Sequence, residues 1–304
     1  MSTETAVALI GYGEVGRILA EDLRQQGVQV TAFDTALGSE MRAHAQQFGV
    51  TLAGSHVEAV RAAQITVCAV TASQTLAAAR ACAAGMPPSC FFLDFNSASP
   101  GAKIAASAVV QEAGARYVEG AVMTSIPPYR IKVPLLLGGP HAAVLEPRLK
   151  ALGFAPHVAS DKLGVVSATK MCRSVMIKGM EAMVIESFTT ARHYGVEDAV
   201  IASLQETFPS IDWEKQAAYF FQRVIEHGRR RAEEVCEVAV TVREAGLEPW
   251  SAAGTAQRQG FIADLAEEGV FGARGSIGHA RSADWRIEAD RLLTHVHREA
   301  TDAL

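Results

Sequence analysis

"LIGYGEVGRILAEDL", residues 9–23, decides the fold. Gly11, Gly13 and Gly16 stand as G-x-G-x-x-G, directly after the apolar run "AVALIG" (6–11) and directly before residues at helical spacing. On its own such a pattern is weak. Closing a strand and opening a helix, it is the phosphate-cradling turn of a βαβ unit. Gly11 permits the tight turn, Gly13 lets a pyrophosphate approach the backbone, and Gly16 lets the helix pack closely on the strand. The helix N-terminus adds amide donors. Tyr12, Glu14 and Val15, interleaved with the glycines, complete the expected cofactor turn. Asp34 closes the next apolar run, "VQVTAFD" (28–34), where a carboxylate accepts from the adenosine ribose hydroxyls. A 2′-phosphate there would meet an anion, and no Arg or Lys follows before Arg42. NAD is therefore expected, with NADP disfavoured.

The pattern extends outward from this turn. "ITVCAVT" (65–71), whose end places Val70 and Thr71 in the cofactor-binding set, and "CFFLDF" (90–95) read as strands buried on both faces. Between them "GRILAEDLRQQG" and "SQTLAAARACAAG" have helical spacing, with Gly27 and Gly85 as C-caps. Alternating strand and helix implies right-handed crossovers and a mostly parallel sheet. "RYVEGAVM" (116–123) and "KVPLLLGG" (132–139) continue it, and Pro127-Pro128 and Pro134 mark an irregular loop between them. Beyond Lys162 the strand signal ends. "SATKMCRSVMIKGMEAMVIESFTTARHYG" (167–195) fits one long helix closing at Gly195. Residues 210–246 read as a helix pair breaking near Gly228, and an amphipathic segment starts at about Ser282. The expected architecture is α/β: a Rossmann, doubly wound, mostly parallel sheet, followed by an all-helical domain joined by a long helix. Residues 1–160 form the NAD-binding domain and 161–304 a helical substrate and dimerisation domain.

Bulk composition narrows the class. The 304 residues are 49% hydrophobic and 20% charged, a globular composition long enough for two domains. A net charge of −5 supplies no basic field for nucleic acid or an anionic membrane. The run Arg229-Arg230-Arg231 is offset by Glu226, Glu233 and Glu234 and reads as a solvated helix face. There is no basic-then-apolar start and no apolar run of about 18 residues, so neither a signal peptide nor a spanning helix is expected. Five cysteines without C-x-x-C spacing read as free thiols in a reducing, cytoplasmic setting. His157 and His193 lack ligand partners at useful spacing, and no metal is expected.

One residue resists a bland reading. Val166, Lys170 and Ser174 share a face of the long helix, and a cation on an apolar face is costly to bury unless paired or neutralised. A lone helical lysine usually snorkels to water. The rest of the chain reverses that preference, because its pieces together resemble the β-hydroxyacid dehydrogenase superfamily, which includes 6-phosphogluconate dehydrogenase and 3-hydroxyisobutyrate dehydrogenase. The likeness is nearest to the branch with a 6-phosphogluconate-dehydrogenase-like C-terminal domain. It rests on the glycine turn, on "LDFNSASP" (93–100), on "YVEGAVMTSIPP" (117–128) and on "GVVSATKMCRS" (164–174).

The resemblance implies hydride transfer between NAD and a hydroxy acid, commonly at its β-carbon, in a homodimer. It places Asn96 and Ser97 at the nicotinamide ribose and the substrate. It puts Met123, Thr124 and Ser125 on the substrate loop, where the family has Ser-Gly-Gly. Lys170 falls on the family's catalytic lysine, facing the cleft between domains, where loss of hydration would bring its pKa toward the range of a general base. Ser174 stands where the family usually has Asn. Arg173, one turn from Lys170, is a candidate clamp for a substrate carboxylate or else an ion-pair partner within the helical domain. Arg130 and Lys132 could also meet an anion, while Glu181 and Glu186 are expected to satisfy internal donors. Two rivals remain: an imine reductase of the same architecture, which generally lacks this lysine, and a non-catalytic NAD-binding protein.

Overall fold

The computed structural model describes residues 5–273, 279 and 282–302. The chain forms two compact units, Met1–Cys172 and Arg173–Leu304. In the first, strands and helices alternate as β1 (Ala6–Ile10), α1 (Glu14–Gln25), β2 (Gln29–Phe33), α2 (Ser39–Phe48), β3 (Thr51–Leu52), α3 (His56–Val60), β4 (Ile65–Cys68) and α4 (Thr75–Ala83). They continue as β5 (Phe91–Asp94), α5 (Pro100–Glu112), β6 (Arg116–Val122), β7 (Pro134–Gly138), α6 (Ala142–Ala151) and β8 (Ala155–Ser160), before α7 (Val165–Tyr194). The strands make one sheet in the order β3-β2-β1-β4-β5-β6-β7-β8. Every pair is parallel except β6 with β7, which is antiparallel.

Apolar runs become strands here because both faces of the sheet are covered. Val7 and Leu9 join one buried cluster with Ile65, Val67, Phe91 and Leu93, while Ala8 and Ile10 join another with Cys68 and Phe92. Strand order reverses between β1 and β4, the switch point at whose carboxyl edge α/β sheets bind ligands. The glycine turn sits there, between β1 and α1.

Some expectations need correction. Gly85 is not a left-handed cap: its φ is not positive, and a Cβ there would lie 2.5 Å from the carbonyl oxygen of Val57, so the residue is glycine for close approach. β8 was not expected at all. It is an edge strand of mixed exposure containing Pro156, too polar to read as a buried run. The expected change of domain at 160–161 also differs from the unit boundary at Cys172 and Arg173. The first turns of α7 pack on the sheet, with Val166 against the position a Gly138 Cβ would take.

The second unit holds the rest of α7, then α8 (Glu197–Thr207), α9 (Trp213–Glu244), α10 (Trp250–Glu267) and α11 (Trp285–Asp302). Gly195 ends the long helix with φ +65°, the left-handed cap read from the sequence. Residues 210–246 hold one long helix, not two. Gly228 lies within it, where a Cβ would sit 3.0 Å from the Gln259 carbonyl oxygen and 3.1 Å from Ala263 Cβ, so it serves helix–helix contact and breaks nothing. Most of "AAYFF" (217–221) is core: Ala217, Ala218, Phe220 and Phe221 pack with Phe188 and Trp285, leaving Tyr219 exposed. Among the described residues, no helix is long and apolar enough to cross a membrane.

Candidate active site

The glycines of the turn have three different physical reasons. Gly11 takes φ +94°, and a Cβ on it would lie 2.4 Å from the Ala69 carbonyl oxygen. Gly16 would put a Cβ 2.2 Å from the Gly11 carbonyl oxygen, so helix and turn are in direct backbone contact. A Cβ on Gly13 would meet nothing within 4 Å, leaving open space at the N-terminus of α1 where an anion fits. The backbone N–H of Tyr12 donates to Asp34 Oδ2 (2.7 Å) and that of Ala36 to Oδ1 (2.8 Å), fixing the carboxylate beside the turn with lone pairs to spare. These residues fit a dinucleotide. The Tyr12 side chain is fully buried, its hydroxyl 2.9 Å from His44 Nδ1, and burial pushes the phenol up to about 12. Only its backbone is presented to the turn. Glu14 is exposed and Val15 packs against the core.

Two strands away, the chain beyond β5 brings the next group together. The Val70 amide donates to Asn96 Oδ1 (2.8 Å), and Asn96 Nδ2 lies 3.4 Å from Cys68 Sγ. Asn96, buried, thus ties the loop after β4, which continues to exposed Thr71, to the loop after β5. Next to it, Ser97 Oγ accepts a hydrogen bond from Lys170 Nζ at 2.7 Å, with Lys170 half-buried. Lys170 and Ser97, 73 positions apart, are paired. Arg173 and Ser174 follow on the same helix at the start of the second unit, the first exposed and the second buried.

Beneath this pair lies a polar network that sequence reasoning missed. Asp94, fully buried at the end of β5, accepts from the Asn96 amide (2.8 Å), from Tyr117 Oη (2.7 Å) and from Lys103 Nζ (2.9 Å). Lys103 is equally buried and also donates to the Asp94 carbonyl oxygen. Burial, with the Asp94 charge second, pushes the Tyr117 phenol well up, so it stays a donor. Glu119, fully buried on β6, accepts from the backbone N–H of Gly164 (2.8 Å) and from that of Ser167, at the N-terminus of α7. The missed signal is a charged residue between apolar ones at strand period, as in "YVEGAV".

Comparison with known proteins agrees with this fold. Residues 6–147 match the family described as the NAD binding domain of 6-phosphogluconate dehydrogenase, and residues 191–262 match a C-terminal domain of unknown function, DUF1932. A conserved hypothetical protein of Sinorhizobium meliloti 1021 is 32% identical, with 95% of this chain and 97% of that chain covered and a TM-score of 0.73. A conserved protein of unknown function, described as structurally similar to 3-hydroxyacid dehydrogenases, is 27% identical over 86% of this chain and 98% of its own, at TM-score 0.67. The chain belongs to the 3-hydroxyacid dehydrogenase-like family that joins these two domains. Fold alone is shared with 3-hydroxyisobutyrate dehydrogenase of Mycobacterium tuberculosis (16% identical, 95% and 99% covered, TM-score 0.67) and with a reductive aminase of Aspergillus terreus (18%, 94% and 99%, 0.55).

Within this dehydrogenase-like chain the remaining expected residues have distinct environments. Met123 is half-buried after β6, and Thr124 and Ser125 are exposed. Arg130 takes φ +53° and pairs with Glu21 (2.5 Å) and Asp22 (2.8 Å) on α1, while Lys132 is exposed. Arg231 corrects the reading of a solvated basic face. It is buried and paired with Glu181, which also accepts from Gln259; Glu186 pairs with Arg258. A second lysine of α7, Lys178, was missed; it is buried against Glu234 (2.5 Å), and burial holds its ammonium below the ordinary lysine range. Among the described residues, no cluster of three or more His, Cys, Asp or Glu side chains could hold a metal ion.

Proposed function

We propose that this chain is an NAD-dependent oxidoreductase that oxidises the hydroxyl of a hydroxy acid, or reduces the keto acid or aldehyde in reverse, with Lys170 as general base and acid. One observation carries the reading: Lys170 Nζ lies 2.7 Å from Ser97 Oγ just past the carboxyl end of β5. That is the edge of the sheet on which the glycine turn follows β1. When bound, NAD accepts the hydride leaving the carbinol carbon. Lys170, entering uncharged, takes the hydroxyl proton as the C–O bond becomes a carbonyl, and returns it in the reverse direction. Ser97 accepts from Lys170 and keeps its own O–H to donate to a substrate oxygen. Asn96, its carboxamide engaged with Val70 and Cys68, holds the two loops together.

Arg173 is assigned to the substrate carboxylate and Ser174 to the same binding set. Met123, Thr124 and Ser125 leave less backbone exposed than Gly-Gly would, which favours a non-phosphorylated hydroxy acid with an apolar or aromatic substituent beside Met123. Met176 and Met183, exposed on α7, favour a homodimer through the helical unit; a single monomeric species in sedimentation at micromolar concentration would exclude it.

The test is turnover of a hydroxy-acid panel with NAD and NADP side by side, with ketone–amine pairs in the reverse direction. Oxidation of a hydroxy acid that is lost in Lys170→Met supports the reading. Reduction of imines alone would move the chain to the reductase side, and NAD binding without any turnover would make it a non-catalytic nucleotide binder.

A further inference from the structure

We infer that Glu119 is the positioning residue for Lys170, setting the start of α7 so that Nζ meets Ser97; this rests on the reading of Lys170 given above. Asp94 and Glu119 are register partners on the adjacent parallel strands β5 and β6, both fully buried. The two carboxylates divide the work. Asp94 accepts the Asn96 amide and so fixes the turn that carries Ser97. Glu119 takes the Gly164 and Ser167 amides on its two oxygens and so fixes the helix that carries Lys170.

Gly164 directly precedes α7 and Ser167 lies in its first turn, where no intrahelical acceptor exists for these amides. A carboxylate there is favoured by the positive end of the helix, which lets Glu119 sit buried with its charge met by main-chain donors. From Val165 to Lys170 is about 7.5 Å of helix at about 1.5 Å per residue, too short to bend appreciably. Moving the first turn therefore moves Nζ. The third strand supports this: Gly138 on β7 is the antiparallel register partner of Glu119. A Cβ on Gly138 would lie 2.8 Å from Val166 Cγ2 and 3.2 Å from Glu119 Oε2. The sheet is thus cleared of side chain where carboxylate and helix meet.

Glu119→Gln tests the inference, because a carboxamide presents one acceptor and one N–H where two acceptors are needed. The readout independent of turnover is competitive labelling of the full chain with acetic anhydride, comparing Lys170 with exposed Lys162 by mass spectrometry. Lys170 labelling relative to Lys162 is expected to rise by about threefold or more in Glu119→Gln, as in Ser97→Ala, with NAD affinity within about twofold of the parent. Glu119→Asp, which keeps both acceptors, should fall between. With the best substrate of the panel, Glu119→Gln should lower kcat about 10- to 100-fold and lower it no further in the Lys170→Met background.

Unchanged labelling in Glu119→Gln, where Ser97→Ala does change it, would overturn the inference and leave the reading of Lys170 standing. An equal loss of kcat with and without Lys170 would also overturn it, since Glu119 would then act elsewhere. Full turnover in Lys170→Met would instead overturn the reading beneath. Should Glu119→Gln fail to fold, Gly138→Ala displaces the same turn through Val166 with the carboxylate intact, and the same labelling outcomes decide.

Discussion

Each unit buries a charged network, and the two are built differently. In the sheet unit, Asp94 at the end of β5 and Glu119 in the middle of β6 are register partners, bonded to main-chain amides as well as to side chains. In the helical unit, Lys178, Glu181, Arg231, Glu234 and Gln259 meet side chain to side chain between helices. There, Arg231 Nε and Gln259 Oε1 find no hydrogen-bond partner among the described residues. Backbone amides are placed by the path of the main chain and cannot swing away, whereas long side chains on helices hold one another only as well as their rotamers allow. The first arrangement suits a site that needs fixed geometry. The second suits joining helices.

The largest expected effect separates chemistry from scaffold. Lys170→Met removes the proton acceptor and keeps much of the volume, so kcat should fall on the order of 10² to 10⁴. NAD affinity, measured by titration, should stay nearly unchanged, because Gly11, Gly13, Gly16 and Asp34 lie elsewhere in the unit. Arg173→Ala should differ in kind, raising KM more than it lowers kcat.

Next come the two networks themselves. Lys103→Met and Arg231→Met each strip a cation from a buried carboxylate, an act that costs about 3–5 kcal/mol. Denaturant unfolding should show comparable losses for both. Only Lys103→Met should also lower kcat, because Asp94 holds the Ser97 turn; equal turnover in the two variants would erase the contrast. Cofactor choice is smaller. Asp34 should make NAD bind about tenfold or more tighter than NADP, about 1.4 kcal/mol, and Asp34→Ser should narrow the ratio.

Two helical glycines make the smallest pair. At Gly254, exposed in α10 with nothing within 4 Å of a Cβ, alanine should stabilise by about 0.5–1 kcal/mol. At Gly228 the same change meets backbone at 3.0 Å, so it should bring no gain and a net loss by the same unfolding measurement.

What could be read from the sequence follows from this difference. The glycine turn was legible because Gly11 and Gly16 occupy positions no Cβ can enter, a demand visible as residue identity. Lys170 drew notice because a cation interrupts an apolar face, but its proposed role came from the likeness of "GVVSATKMCRS" (164–174) to the family's motif. Glu119 and Lys103 broke their local patterns in the same way, yet a buried charge declares itself only once its partners are known, and those lie 45 and 9 positions away. Gly85 and Gly228 show the limit of the glycine argument. The letter is the same for a cap, a break and a close approach, and only the neighbouring element decides among them.

Arg130 has a consequence for how this chain can diversify. The segment beginning at Met123 leaves a strand whose last residues are locked in register with β7, and it is anchored again where Arg130 grips Glu21 and Asp22 and the Ile131 amide donates to Asp22. With both ends moored, the side chains at 123–125 form an interchangeable cassette. Exchanging them changes what the segment touches while leaving the sheet, the Lys170–Ser97 pair and the glycine turn in place.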